Sequence, residues 1–387
     1  MTQDPLEKLR ILGPAACYER AEETTPSGRV LSSPEDVPVD LRGCVYYAAL
    51  PGGRRVPILK TLLSSACERD CLYCAFRAGR DAPRATFTPD ELARLFLQIH
   101  RRGLVEGIFL SSAILSGGPR TQDRLIATAD ILRRSGFQGY IHLKIMPGAE
   151  RAQVEAAMRL ADRVSVNLEA PSGRRLALLA PHKDFRDELF LRLRWIAEIR
   201  REMVGHRPSA TTQFVVGAAG ESDLELLHAT AFLYRHLGLA RAYYEGFRPV
   251  PATPLEVLPP ASRIRERRLY QASFLLRDYG FNVEELPFGP DGNLPLEVDP
   301  KLAWADQHLR DAPVEVNRAD RETLLRVPGI GPRGADRLLE ARRERRLRDL
   351  GELRRLGIAV DRAAPFILLD GKRPAYQIEL PGLSRSA

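Results

Sequence analysis

Between about residue 56 and residue 280 the sequence alternates short apolar, β-rich runs with longer amphipathic stretches, and few folds can accept that rhythm. Strands spaced by helices cannot pair as hairpins, so they build a parallel sheet through βα units. Six strands are expected, at Pro57–Leu63, Gly107–Ser112, Tyr140–Ile145, Arg163–Glu169, Thr212–Gly217 and Ala242–Phe247. One intervening helix spells out its own start. Thr88 is the N-cap, Pro89 takes the first helical position, Glu91 closes a capping box, and Leu92, Leu95, Phe96 and Ile99 follow on one face. Further helices are expected over roughly 120–135, 150–162, 185–203, 222–237 and 260–279.

The strands themselves choose between an open sheet and a barrel. In Val164-Ser-Val-Asn-Leu-Glu169 the apolar residues alternate with Ser165, Asn167 and Glu169, and His142 and Lys144 repeat the pattern one strand earlier. A strand of a doubly wound sheet is apolar on both faces. A polar inner face instead fits a barrel whose lumen holds a substrate. The expected class is therefore α/β, a partial (β/α)6 barrel over 56–286. Before it, residues 1–55 read as an irregular N-terminal layer, and after it a Pro/Gly-rich connector covers 287–312. A small all-α unit over 313–372 and a tail over 373–387 complete the chain.

Three of the five cysteines stand in Ser65-Ala-Cys67-Glu-Arg-Asp-Cys71-Leu-Tyr-Cys74, in the loop that leaves the first strand. Five cysteines in 387 residues are too few for a disulfide scaffold, and a cluster of this kind reads as metal ligands. Zinc usually takes four protein ligands, and no fourth Cys or His lies within ten residues of the loop. Three thiolates instead hold three corners of a [4Fe–4S] cube and leave one iron open. Cys17 and Cys44 fall in the N-terminal layer and read either as inert buried cysteines or as auxiliary ligands.

The Cys67, Cys71 and Cys74 spacing, with Tyr73 before the last ligand, resembles the motif of the radical S-adenosylmethionine (SAM) superfamily. That resemblance implies a [4Fe–4S] cluster whose open iron chelates SAM. An electron from an external donor such as flavodoxin or ferredoxin then cleaves it to methionine and a 5′-deoxyadenosyl radical, with Tyr73 near the adenine. Further sites follow from the same likeness. Leu110-Ser-Ser-Ala-Ile114 stands where many members carry Gly-Gly-Glu, and lacking the glutamate it leaves the SAM amino group to backbone carbonyls and Ser111 or Ser112. Glu169 is expected at the SAM ribose or carboxylate, or else as a lumen carboxylate paired with Lys144 or an arginine. Gly217, in Gln213-Phe-Val-Val-Gly217-Ala-Ala-Gly220-Glu221, either supports the adenine or serves only a tight turn.

The net charge is +8, but 52 of the 58 basic residues are arginine, a skew that GC-rich coding produces without selection for binding. Its distribution is more informative. Residues 314–387 hold 16 basic against 11 acidic side chains, and Arg333–Arg355 hold nine arginines against five acids. In the same region Asp320 caps a helix, Val327-Pro-Gly-Ile-Gly-Pro332 forces a turn, and a second helix follows. This resembles the helix-hairpin-helix motif of DNA-repair and DNA-uptake proteins, with Gly329, Ile330, Gly331 and Arg333 at its phosphate-facing turn. A degenerate second unit follows at Asp349–Ile358; the pair binds nucleic acid, binds protein or simply closes the fold.

The core and tail together, with Tyr140–Gly148, Asn167–Pro171 and Ala180-Pro-His-Lys-Asp184, resemble the DNA modification or repair radical SAM proteins. The resemblance implies an enzyme acting on DNA in preference to RNA, with the catalytic side chains unassigned. Action on tRNA, or a non-catalytic iron–sulfur protein that binds nucleic acid, are the rivals. A base inside a duplex cannot reach a barrel mouth, so the target is expected single-stranded, terminal or flipped out. Tyr243, Tyr244, Glu245 and Arg248 are expected beside that mouth, the tyrosines either stacking a base or packing against helices. No run approaches the ~18 apolar residues of a membrane helix, and the polar start Met1–Arg10 lacks a basic-then-apolar leader, so the expected address is the cytoplasm.

Overall fold

The computed structural model describes residues 4–16, 41, 43–49 and 55–376, and the chain divides into two compact units, Met1–Tyr270 and Gln271–Ala387. In the first unit the elements run α1 (Pro5–Ala15), β1 (Val45–Ala49), β2 (Arg55–Leu62), α2 (Pro89–Arg101), β3 (Gly107–Ser111), α3 (Gly118–Arg134), β4 (Tyr140–Lys144) and α4 (Arg151–Leu160). There follow β5 (Arg163–Glu169), α5 (Gly173–Ala177), α6 (Leu191–Glu202), β6 (Ser209–Val216), α7 (Asp223–Leu237) and β7 (Arg241–Gly246), then α8 (Arg263–Asp278), within which the division falls. Strands β2 to β7 pair in sequence order, all parallel, as a six-stranded half-barrel with helices between its strands. All six expected strands are present, and Thr88 and Glu91 close the capping box of α2 as expected, with Thr88 Oγ1 accepting from the Glu91 amide at 3.2 Å.

The N-terminal layer is more regular than the sequence suggested. Strand β1 adds antiparallel to β2 as a seventh strand, and α1 packs on β2. Cys44 lies buried beneath α1, so close that a Cβ on Gly13 would stand 2.1 Å from its Sγ. Burial pushes its thiol up to about 11, and its Sγ lies 3.9 Å from the Leu9 carbonyl oxygen of α1. Cys17 lies outside the described residues.

The alternation within the strands places the core. Ile141, Leu143, Val164, Val166 and Leu168 are fully or almost fully buried on the helix-facing side, while His142, Ser165, Thr211 and Tyr243 are buried on the inner side. His142 Nε2 meets Ser165 Oγ at 2.9 Å and stacks edge-on against Phe109, with centroids 4.7 Å apart. These side chains plug the lower lumen, so the barrel is a packed core there and open only above.

The second unit contains α9 (Pro300–His308), β8 (Val314–Glu315), α10 (Arg321–Arg326), α11 (Pro332–Glu344), α12 (Leu350–Arg355), α13 (Val360–Ala363) and β9 (Ile367–Leu368). It is not all-α, because β8 and β9 pair in parallel, Val314 with Ile367 and Glu315 with Leu368. Nor is 287–312 only a connector. Ala305 and Leu309 share one apolar core with Leu324, Ile330, Leu338, Leu353 and Phe366, so α9 is part of the unit.

Candidate active site

The loop after β2 carries Cys67, Cys71 and Cys74, and all three line a cavity of about 640 Å3 at the C-terminal ends of the strands. The cavity wall continues with Ser111 and Ser112 from the end of β3, Lys144 from β4, Asn167 and Glu169 from β5, Gln213 from β6 and Glu245 from β7. The inner polar face expected from the alternation thus has two levels, a buried plug and an upper row that faces the cavity. Lys144 Nζ donates to Asn167 Oδ1 within that row.

The cysteine loop is held by a segment distant in sequence. The Leu72 amide donates to the Leu179 carbonyl at 2.8 Å, Arg69 donates to the His182 carbonyl at 2.8 Å and pairs with Glu188 at 2.5 Å, and His182 meets Asp70 at 2.6 Å. Glu188 lies in a π-helical turn, Phe185–Phe190, that leads into α6. Such turns concentrate at functional sites. On the other side, the Glu68 amide donates to the Ile114 carbonyl and Glu68 Oε1 accepts from the Gly117 amide. The Gly117-Gly118 pair therefore has packing work to do. Gly117 sits at φ +90°, and a Cβ on Gly118 would fall 1.9 Å from the Pro147 carbonyl oxygen.

Burial, with Cys71 adding to it, pushes the Cys74 thiol up to about 12, and burial raises that of Cys71 against the opposing ammonium of Lys183. Thiols so placed stay protonated until a metal claims them. Among the described residues no three Cys, His, Asp or Glu side chains converge closely enough to share one metal ion. Three thiols spread round a cavity wall suit a cube whose separate irons take one thiolate each.

Glu169 is the strained member of the site. It ends β5 at a bulge with φ +63°, a conformation that costs a non-glycine residue roughly 1–2 kcal/mol. Its carboxylate accepts from Lys183 Nζ at 3.2 Å and faces the Tyr73 side chain, whose pKa burial and this carboxylate raise well above the ordinary tyrosine value. The lumen ion pair considered for Glu169 exists, with Lys183 in place of Lys144. Sequence reasoning did not single out Lys183, although it stands inside the quoted Ala180–Asp184 stretch.

Three expectations need correction or completion. Gly217 is not on the cavity wall among the described residues. It makes a turn at φ +97°, its amide donating to Glu221 Oε1 at 2.5 Å, and a Cβ would stand 2.9 Å from that of Ala261. Tyr243 and Tyr244 are buried, and Tyr244 shares a 2.7 Å hydrogen bond with Thr230, so neither stacks a base. Glu245 and Arg248 do reach the cavity, joined by Arg263, Glu266 and Arg267, which lie on one face of the first turns of α8. Glu266 fixes that face by accepting from the Gly246 amide at 3.2 Å.

In the second unit, Asp320 caps α10 by accepting from Thr323 N at 2.8 Å. In the turn between α10 and α11, Gly329 has φ +84° and approaches the Ala359 carbonyl so closely that a Cβ would lie 2.4 Å from its oxygen. Ile330 is buried, Gly331 is the N-cap of α11, and Arg333 is exposed on its first turn. Much of the arginine excess is spent internally, since Arg321, Arg326, Arg345, Arg346, Arg354 and Arg362 all pair with acids of the same unit.

Residues 61–233 match the family model described as the Radical SAM superfamily, whose enzymes use a [4Fe–4S] cluster and SAM. No curated protein matches the chain. Among solved structures, similarity extends to HydG, a maturase of the [FeFe]-hydrogenase, with 11% identity and a TM-score of 0.46 over 57% of this chain and 49% of that one. HydG from Carboxydothermus hydrogenoformans gives 14% identity and 0.46 over 57% and 51%, and methylornithine synthase (PylB) gives 13% and 0.46 over 57% and 62%. The chain thus spans about half to three fifths of the length of these structures.

Proposed function

With residues 61–233 a radical SAM domain, we propose that this chain is an enzyme that cleaves SAM reductively at a [4Fe–4S] cluster on Cys67, Cys71 and Cys74, and that it modifies or repairs nucleic acid, DNA before RNA. The observation that carries the enzymatic part is that the three thiols and the upper polar row of β4 to β7 share one cavity. A purely structural cluster has no need of that space. When bound, the cluster and SAM supply homolysis of a carbon–sulfur bond and hence a hydrogen-abstracting radical. The chain's own residues do the rest: Tyr73 and Lys183 hold the Glu169 carboxylate in place, Lys144 and Asn167 form one fixed donor–acceptor pair, and Gln213 and Glu245 offer further polar atoms to what enters.

The nucleic-acid part rests on charge placed at two openings. Arg248, Arg263 and Arg267 are exposed around the cavity mouth, where a phosphate flanking an extruded nucleotide is held if its base enters. Separately, the Gly329–Gly331 turn leaves the first amides of α11 without intrahelical partners beside Arg333, a phosphate-binding arrangement that grips backbone and not bases. Fluorescent single-stranded and duplex DNA, and RNA of the same sequence, test the reading. Single-stranded DNA is expected to bind with an affinity that falls steeply with salt, and to raise the rate of 5′-deoxyadenosine release. Arg333→Glu should weaken binding several-fold on every sequence alike. Binding that ignores both salt and this substitution contradicts the nucleic-acid reading, and a preference for RNA moves the substrate to that class.

A further inference from the structure

We propose that Lys183 is the counter-cation of the cluster site, a positioning residue that neutralises Glu169 beside Cys71 and thereby sets how readily the cluster accepts its electron. This rests on the cluster assignment above. Three observations carry it. The Lys183 side chain is 10% exposed and that of Glu169 8%, so the pair lies out of water where charge effects are weakly screened. Lys183 Nζ meets Glu169 Oε1 at 3.2 Å and also faces the Cys71 thiol, so one ammonium stands beside both the carboxylate and a sulfur that becomes anionic once it holds the cluster. The backbone at both partners is committed, Glu169 by its φ of +63° and the cysteine loop by the clasp of Leu72, Arg69 and Asp70 on residues 179–188.

The electrostatics follow directly. Adding one electron to a cluster held by three thiolates increases its negative charge, so a nearby carboxylate opposes reduction and a nearby ammonium favours it. Lys183 and Glu169 together are neutral. Removing only the cation leaves a bare carboxylate beside Cys71, whereas removing only the anion leaves an uncompensated ammonium. The two substitutions must therefore move the potential in opposite directions, which loss of packing cannot do.

The test uses the full chain, anaerobically reconstituted and titrated with dithionite as the one-electron donor, with the reduced cluster followed by its paramagnetic signal and without SAM. Lys183→Met is expected to shift the midpoint to more negative potential, Glu169→Gln to more positive potential, the double variant to return near the parent, and Lys183→Arg to stay near it. Shifts of the same sign in the two single variants, or none, overturn the proposal. Should Lys183→Met fail to hold iron, the Glu169→Gln and Lys183→Arg titrations still decide it. Failure of the parent itself to assemble a cluster would strike the cluster assignment instead.

Discussion

Five of the six lysines lie inside the protein: Lys8, Lys60, Lys144 and Lys301 are 9%, 1%, 6% and 8% exposed, and the side chain of Lys183 is 10% exposed. In a chain that otherwise uses arginine, lysine is kept largely for buried positions, where a compact ammonium on a flexible stem is placed. In the composition alone that bias is indistinguishable from a coding skew. The thiols were legible because three ligands crowd one loop, whereas Lys183 was not, because it meets Cys71 only after the intervening βα units have closed. Gly118 makes a second residue-scale point. With a Cβ forced to 1.9 Å from the Pro147 carbonyl, Gly118→Ala should cost on the order of 1–3 kcal/mol, read as a lowered midpoint in urea. An unchanged midpoint would mean that the α3 start relaxes freely.

At the scale of elements, strong periodicity was readable and tertiary pairing was not. The six parallel strands announce themselves by alternation, while β1, in Val45-Tyr-Tyr-Ala-Ala49, has no polar residue to mark a face and is strand only because β2 offers it an edge. Helix α9 was hidden among prolines and glycines, though it contributes to the second unit's core. Its Lys301 donates to the Ile330 carbonyl at 2.6 Å, in the turn before α11, and lies over the Tyr279 ring. Burial, with Arg362 and Arg326 nearby and only Asp299 opposing them, lowers its pKa from 10.5 to about 7. The unfolded chain therefore holds a proton that the folded chain has released across that interval, so stability contributed by this group rises from about pH 7 towards pH 10. The melting midpoint of the parent should gain on Lys301→Met between about pH 7 and about pH 9.5. Parallel pH profiles for the two proteins would remove Lys301 as the source.

For the whole molecule, the sequence separated a barrel from a C-terminal unit but put the boundary too late, since contacts divide the chain at Tyr270 and Gln271. A truncation at Asp311 would cut through the core that Ala305 and Leu309 share with the second unit, so Arg333→Glu tests nucleic-acid binding more cleanly. Everything proposed for this chain requires that the loop of Cys67, Cys71 and Cys74 hold a cluster that spends SAM. The direct measurement is iron content and 5′-deoxyadenosine release, under dithionite, of the anaerobically reconstituted chain beside its Cys71→Ala variant. The parent is expected to hold about four irons per chain and to form 5′-deoxyadenosine and methionine together, and the variant to lose both. A variant that retains the iron and the cleavage would contradict it.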